Sequence, residues 1–136
     1  MAIGKQIRLN RIFAHPSGNF FSVAVDHFIG YTNRWDGFPS GLRKICDTLE
    51  AIVAGKPDAI TMHKGIASSA WEPHAGKIPF ILQSTIARPD DAANQQIATP
   101  EDAIRLGADA FAVASFICGD NEDHKLHVLA DCVREA

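Results

Sequence analysis

Four short, almost uninterrupted apolar segments constrain the fold of this chain more than any other feature of its sequence. They are Phe21 to Val25, Ala59 to Met62, Phe80 to Leu82 and Ala110 to Ser115. Apolar runs of this length are typical of strands that are buried on both faces, as they are in a parallel sheet. We therefore predict four parallel strands joined by right-handed helical crossovers.

Start and stop signals place the helices between these strands. Apolar residues at steps of three and four predict a helix that Ser40 caps and that Gly55 ends in a left-handed conformation. Thr99, followed by a proline and two acids, predicts the start of another helix, and Gly107 predicts its end. Proline and glycine within residues 66–77 predict that the helix there is short or irregular.

Further helices are predicted at both ends of the chain. Residues 3–13 mix apolar and polar side chains before the first strand, and we expect a short helix there that closes the bottom of a barrel. After Asn121, apolar residues at helical spacing predict a last helix with one apolar stripe, formed by Leu126, Leu129, Ala130 and Val133.

Polar residues at the ends of the strands favour a barrel over an open doubly wound sheet. No GxGxxG or GxxxxGK[ST] motif follows any strand, whereas polar groups follow three of them: Asp26-His27, His63-Lys64 and Gln83-Ser84-Thr85. The carboxyl ends of the strands are where a (β/α)8 enzyme keeps its site. We predict an α/β fold of the (β/α)8 TIM-barrel type, with residues 1–136 forming four βα units, the N-terminal half of one domain.

The polar residues after the first two strands are the main candidates for chemistry. Asp26 suits proton transfer or the orientation of a substrate hydroxyl, and alternatively caps the loop that follows it. His27 lies beside it, with a functional and a structural role equally open. After the second strand, His63 and Lys64 repeat the arrangement. Lys64 either attracts an anionic substrate or forms a salt bridge with Asp26.

The third strand ends in amide and hydroxyl groups. Gln83 and Ser84 suit hydrogen bonding to a polyol substrate, and alternatively satisfy the backbone of the loop that they begin. A metal site is a weaker hypothesis: His27, His63 and His74 with Asp26 form a mixed nitrogen and oxygen set, without local spacing such as HxH or HExxH. We expect no metal and no cofactor.

Composition limits the class of partner and the cellular compartment that we expect for this chain. A net charge of −3 provides no basic surface for nucleic acid or acidic membranes, so a small molecule is the expected partner. The three cysteines form no CxxC motif, and Cys46 and Cys132 fall on predicted apolar helix faces, which indicates reduced, packed thiols. No segment approaches the ~18 apolar residues of a membrane span, and the opening residues lack the apolar run of a signal peptide. We expect a cytoplasmic protein.

Four sequence runs together resemble the archaeal-type class I fructose-bisphosphate aldolases and the related aldolase-like synthases: FSVAVDHFIG, AITMHKGI, PFILQST and ATPEDAIRLGADAFAV. The resemblance extends from about Lys5 to the last residue. It implies a barrel in which a lysine forms a protonated Schiff base with a ketone substrate. By position, Asp26 takes the family's role in handling substrate hydroxyls and protons, while His27, His63 and Lys64 take places in the mouth of the active site.

The resemblance also implies parts that these residues do not supply. The family's Schiff-base lysine lies on the sixth strand, its acid-base tyrosine on the fifth and its phosphate loops on the seventh and eighth. Tyr31, the single tyrosine, lies in the first loop. That loop is unusually aromatic, and Ile86 and Ala87 stand where close relatives of the family place a glycine. Both differences concern substrate selection. The expected substrate is therefore a sugar phosphate or a related keto compound.

We therefore expect a Schiff-base aldolase-type lyase that is incomplete and inactive alone, and a homo-oligomer. The alternatives are a half-barrel assembly module and a metal-dependent lyase that uses Asp26, His27 and His63.

Overall fold

A computed structural model of the protein describes residues 3–27, 44–86, 95–113 and 122–135. Ser40, Tyr31, Ser115 and Asn121 lie outside these residues, so the predictions that involve them stay predictions. Helices and strands alternate along the chain: α1 Ile3–Ile12, β1 Ser22–Ala24, α2 Ile45–Gly55, β2 Ala59–His63, α3 Lys64–Ala70, β3 Phe80–Gln83, β4 Thr85–Ile86, β5 Gln95–Gln96, α4 Pro100–Arg105, β6 Ala110–Ala112 and α5 Glu122–Glu135. None of the helices in the described residues is long and apolar enough to cross a membrane.

The sheet contains the four predicted strands in the order β1-β2-β3-β6, and every neighbouring pair is parallel. The prediction of parallel strands with helices between them is confirmed. Strands β4 and β5 form a separate antiparallel pair directly after β3. The predicted irregular helix of residues 66–77 is also confirmed, since α3 has seven residues and a 3-10 turn at Glu72–His74 follows it.

The two faces of the sheet differ in what they contact. Alternate residues of the central strands are almost fully buried against the helices, among them Ile60, Met62, Phe80 and Leu82. We call this the outer face, because the helices cover it. The intervening residues form the inner face, where one aligned row consists of small or medium side chains: Ala24, Thr61, Ile81 and Ala110. Ala24 is exposed, so the core of the described residues lies between sheet and helices.

Two aspartates join the strands at their amino-terminal end, and one of them, Asp109, is buried. The Asp58 carboxylate accepts a hydrogen bond from the backbone N–H of Phe21 at 2.8 Å, and Asp109 accepts one from Phe80 at 3.1 Å. The other oxygen of Asp109 lies 2.8 Å from the Arg11 guanidinium. Because Arg11 belongs to α1, this ion pair holds α1 against the amino-terminal end of the sheet. The predicted helix at the bottom of the barrel is thereby confirmed.

The helix termini follow the predicted signals with one correction. Thr99 caps α4 in a capping box with Asp102, and Gly107 has a φ of 73° just after the helix, both as predicted. The prediction that Gly55 takes the left-handed conformation is wrong. Gly55 is the last helical residue of α2, and Lys56 adopts a φ of 51° with its N–H bonded to the Val53 carbonyl.

The buried sides of α2 and α5 also differ from the prediction. Helix α5 buries Val128 and Cys132, whereas Leu126 and Val133 of the predicted stripe are exposed. The side-chain amide nitrogen of Gln96, in β5, donates to the Sγ atom of Cys132 at 3.5 Å. This side of α5 therefore faces the rest of the chain. Cys46 is exposed, because α2 turns Leu49 toward the sheet instead.

A core truncation tests this packing. Leu82 lies in β3 and is fully buried, so Leu82→Ala removes apolar contacts on the outer face and leaves a cavity. We expect it to lower the free energy of unfolding by about 3 kcal/mol, as measured by urea denaturation. The matched change Leu126→Ala, at a side chain that is mostly exposed, should cost less than about 0.5 kcal/mol. Equal losses from both changes would contradict the assignment of the buried face.

Candidate active site

The register of the sheet places three of the candidate residues in one row on the inner face. Ala24 of β1 pairs with Thr61 of β2, and Asp26 and His63 each lie two residues further along these chains. His63 in turn pairs with Gln83 of β3. Since alternate residues of a strand share a face, Asp26, His63 and Gln83 form what we call the carboxyl-end row.

Asp26 is the most unusual member of this row. Its side chain is 12% exposed, and its Oδ1 atom is buried without a hydrogen-bond partner in the described residues. The Nδ1 atom of His27 lies 3.7 Å from that oxygen, beyond hydrogen-bonding distance. Buried carboxylate oxygens are ordinarily hydrogen-bonded, because burial without a donor is costly. Within the described part of the chain, the Oδ1 atom of Asp26 therefore lacks a donor that it would ordinarily have.

His63 and Gln83 are buried and linked to each other. The Nδ1 atom of His63 lies 3.4 Å from the main-chain oxygen of Gln83, at the long end of hydrogen-bonding distance. The side-chain amide nitrogen of Gln83 donates to the main-chain oxygen of Thr85 at 3.1 Å and lies 3.2 Å from its hydroxyl. Thr85 belongs to the polar strand end that the sequence predicted, and it contacts the side chain of Gln83 two residues before it.

Lys64 lies next to His63 in sequence but faces away from the row. Its Nζ donates to the Asp102 carboxylate of α4 at 2.9 Å. The predicted alternative of a salt bridge with Asp26 is thus wrong, because the residue after the end of β2 projects toward the helices and meets the start of α4. The ammonium of Lys64 and the backbone N–H of Thr99 hold the pKa of Asp102 below its ordinary value.

Ser84, another predicted site residue, uses its hydroxyl in a hydrogen bond within the protein. Its side chain is fully buried, and its hydroxyl donates to the main-chain oxygen of Ala112 at 2.7 Å. Its main-chain N–H donates to the same oxygen at 2.9 Å. This geometry favours the alternative that Ser84 satisfies backbone groups between neighbouring strands.

The histidines suggested as metal ligands are not brought together. His27 lies beside Asp26, whereas His74 lies in the 3-10 turn before β3, with its ring 5.6 Å from that of Trp71. Within the described ranges, no group of three or more His, Cys, Asp or Glu side chains is arranged to hold a metal ion. The metal-lyase alternative, which needs Asp26, His27 and His63 as a set, therefore has no support from this geometry.

Comparison with known proteins finds several that are similar to this chain. The chain is 32% identical to a 2-amino-3,7-dideoxy-D-threo-hept-6-ulosonate synthase of Halobacterium salinarum over 136 residues, which are 98% of the chain and 48% of the synthase. It is 26% identical over 129 residues to a 2-amino-4,5-dihydroxy-6-oxo-7-(phosphonooxy)heptanoate synthase of Streptomyces griseus, covering 93% of the chain and 45% of that protein. No family model matches the chain.

The fold has a solved counterpart. The structure of a Schiff-base-forming fructose-1,6-bisphosphate aldolase superposes with a TM-score of 0.76 at 24% identity, covering 97% of the chain and 52% of that aldolase. The chain thus spans about half the length of the curated relatives and of the solved structure it matches. The predicted resemblance and the predicted half of a TIM-barrel fold are both confirmed.

Two aspartates at opposite ends of the sheet, Asp109 and the partly buried Asp26, give a test of which end carries the site. Asp109 is bonded to Phe80 and Arg11, so Asp109→Asn should lower the free energy of unfolding by about 2 kcal/mol. Asp26→Asn removes a charge whose buried oxygen has no donor, so it should leave that free energy unchanged or raise it. Urea denaturation measures both, and an equal loss from Asp26→Asn would show that Asp26 is a structural residue.

The link between Lys64 and Asp102 predicts a dependence of stability on pH. Because the pKa of Asp102 is lowered on folding, its contribution is complete above its ordinary pKa of 3.8 and is lost as the pH falls through the lowered value. We expect Asp102→Asn to be less stable than wild type at pH 7, with the difference shrinking in acid. The control Glu101→Gln alters an exposed pair and should have little effect at any pH. A difference that stays constant from pH 7 to pH 2 would contradict this role.

Proposed function

We propose that this chain forms part of a Schiff-base aldolase-type lyase that acts on a sugar phosphate or a related keto substrate. The observation that carries the proposal is the buried Oδ1 of Asp26 at the carboxyl end of the strands, which no donor among the described residues reaches. Its position there, in a chain similar to two synthases and sharing the fold of a Schiff-base-forming aldolase, supports an enzymatic role.

In this proposal Asp26 moves a proton at a substrate hydroxyl. During cleavage, its carboxylate removes the hydroxyl proton while the adjacent carbon–carbon bond breaks and an aldehyde forms. The bonding electrons pass to the iminium that a lysine has formed with the substrate, giving an enamine. A carboxylate with a buried oxygen that no described group bonds is suited to this step, because a substrate hydroxyl can donate to that oxygen.

Lys64 does not suit the role of the Schiff-base lysine. A lysine must lose its proton before it attacks a carbonyl carbon. The carboxylate of Asp102 lies 2.9 Å from the Lys64 nitrogen and favours the charged ammonium form. We propose that the nucleophile is a lysine on the sixth strand of the complete barrel, as the family resemblance implies, and that Lys64 holds α4 against the end of β2.

The proposal extends to the setting of the enzyme. We propose a small-molecule substrate, a cytoplasmic location and a homo-oligomeric assembly. Exposed apolar side chains on α5, among them Leu126 and Val133, support a further contact surface. The half-barrel assembly module stays as the alternative, supported by the exposed Ala24 on the inner face.

Borohydride trapping tests the mechanism. Translation of the gene past the Ala136 codon identifies the polypeptide to use, and it should contain a lysine on a sixth strand. Incubation with a ketose phosphate and sodium borohydride should then reduce the Schiff base to a stable amine, which mass spectrometry locates. The variant Lys64→Gln should still be trapped. An adduct on Lys64 itself, or on no lysine, would sink the proposal.

The same polypeptide tests the role of Asp26. In Asp26→Asn, the trapped adduct should still form, because Schiff-base formation uses the lysine, while kcat for carbon–carbon bond cleavage should fall at least ~100-fold. Steady-state kinetics and the trapping yield separate the two steps. A variant that keeps wild-type kcat would remove Asp26 from the mechanism.

A further inference from the structure

The end of β3 is held through Ser84, whose polar groups are all bonded within the protein. Its N–H and its hydroxyl donate to the main-chain oxygen of Ala112, at 2.9 and 2.7 Å. Its own main-chain oxygen accepts from the N–H of Ile97 at 2.7 Å and from that of Ala98 at 3.2 Å. Because Ser84 is buried, water does not compete for these bonds. The backbone at the end of β3 can therefore move only when they break.

The position of this backbone determines the orientation of two candidate site residues. The side-chain nitrogen of Gln83 donates to the main-chain oxygen of Thr85 at 3.1 Å, and these two residues flank Ser84. The main-chain oxygen of Gln83 in turn lies 3.4 Å from Nδ1 of His63. A shift of the Ser84 backbone would thus be passed on to both Gln83 and His63.

Residues 97–99, which include the two donors to Ser84, are held a second time where they lead into α4. One oxygen of the Asp102 carboxylate accepts from the N–H of Thr99 at 3.0 Å, and the Thr99 hydroxyl accepts from the N–H of Asp102 at 3.2 Å. The other carboxylate oxygen accepts from Nζ of Lys64 at 2.9 Å. Residues 97–99 are therefore attached at one end to β3, through Ser84, and at the other to the end of β2, through Lys64.

The ion pair between Lys64 and Asp102 is suited to hold a segment in place more than to hold the fold together. The side chain of Lys64 is 45% exposed and that of Asp102 is 18% exposed. Ion pairs in contact with solvent contribute little to the free energy of unfolding. Loss of this pair should therefore loosen residues 97–99 locally and leave the sheet folded.

We propose that Lys64 and Asp102 are positioning residues of the active site: their ion pair holds residues 97–99 against the Ser84 carbonyl and so keeps Gln83 and His63 in place. This inference rests on the proposed function, which puts the active site at the carboxyl end of these strands. Lys64 acts through residues 97–99 and Ser84, and not through a contact with the substrate.

Hydrogen exchange of the 136-residue chain, followed by NMR, tests the attachment. Lys64→Met removes the ammonium and keeps an unbranched side chain. It should raise the exchange rates of the Ile97 and Ala98 amides about fivefold, the effect of one ion pair of this kind. Lys64→Arg should keep these amides protected, because a guanidinium also donates to a carboxylate.

Two controls show whether the effect is local. The Phe80 amide, which donates to Asp109 at the opposite end of the sheet, should exchange at the same rate in Lys64→Met as in wild type. Arg105→Met removes an exposed ion pair with Glu101 on the same helix, α4, and should leave Ile97 and Ala98 unchanged. Unchanged exchange at these two amides in Lys64→Met, or an equal rise at Phe80, would overturn the inference.

Kinetics of the polypeptide used for borohydride trapping test the consequence for the reaction. Lys64→Met should lower kcat for carbon–carbon bond cleavage about tenfold, since small displacements of positioning groups slow a reaction strongly. Lys64→Arg should restore kcat to within about twofold of wild type. The trapped lysine should be the same in both variants, which also shows that they are folded.

The two measurements distinguish a failure of this inference from a failure of the proposed function. A wild-type kcat in Lys64→Met, or a Lys64→Arg variant as slow as Lys64→Met, would overturn this inference alone while trapping still supports the lysine mechanism. Absence of a trapped lysine in the wild type would overturn the proposed function and this inference with it.

Discussion

The register of the four parallel strands is the constraint on which the rest of this structure depends. Because side chains alternate between faces, the pairing of His63 with Gln83 decides which residues reach the inner face. A slip of one residue in β2 would turn His63 toward the helices and bring Lys64 inward. The carboxyl-end row would then contain the Lys64 ammonium in place of the His63 imidazole. Asp102, at the start of α4, would lose its ion pair with Lys64.

The two ends of the sheet use aspartates in opposite ways. At the amino-terminal end, Asp58 and Asp109 accept hydrogen bonds from the strand next to them, and Asp109 also holds α1 through Arg11. These carboxylates are satisfied by the protein and stabilise it. At the carboxyl end, Asp26 is buried with an oxygen that no group in the described residues satisfies. The carboxylates that stabilise the sheet thus lie at the end opposite to the one that carries the active site in barrels of this type.

Local signals predicted the elements well. The apolar runs located β2 and β3, the capping residues located α4, and the polar strand ends located the row. These features depend on a few neighbouring residues, so they can be inferred from sequence. The predictions that were wrong concern contacts between residues that are distant in sequence. The partner of Lys64 is 38 positions away, and nothing local distinguishes Asp102 from Asp26 as its counterion.

The remaining differences between the predictions and the structure arise from packing. The exposed stripe of α5 and the exposed Cys46 show that helical periodicity predicts an amphipathic helix but not which neighbour it meets. The αL residue after α2 is Lys56, one position beyond the glycine that local preference favoured. Ser84 illustrates the same limit at the site: its hydroxyl is bonded to Ala112, on a strand that is adjacent only in the folded sheet.

A crystal structure of the complete protein with a bound ketose phosphate tests the central claim most directly. The account predicts a substrate hydroxyl within about 3 Å of the Asp26 carboxylate. A structure in which protein groups satisfy Asp26 and the substrate lies away from the carboxyl ends of these strands would contradict it.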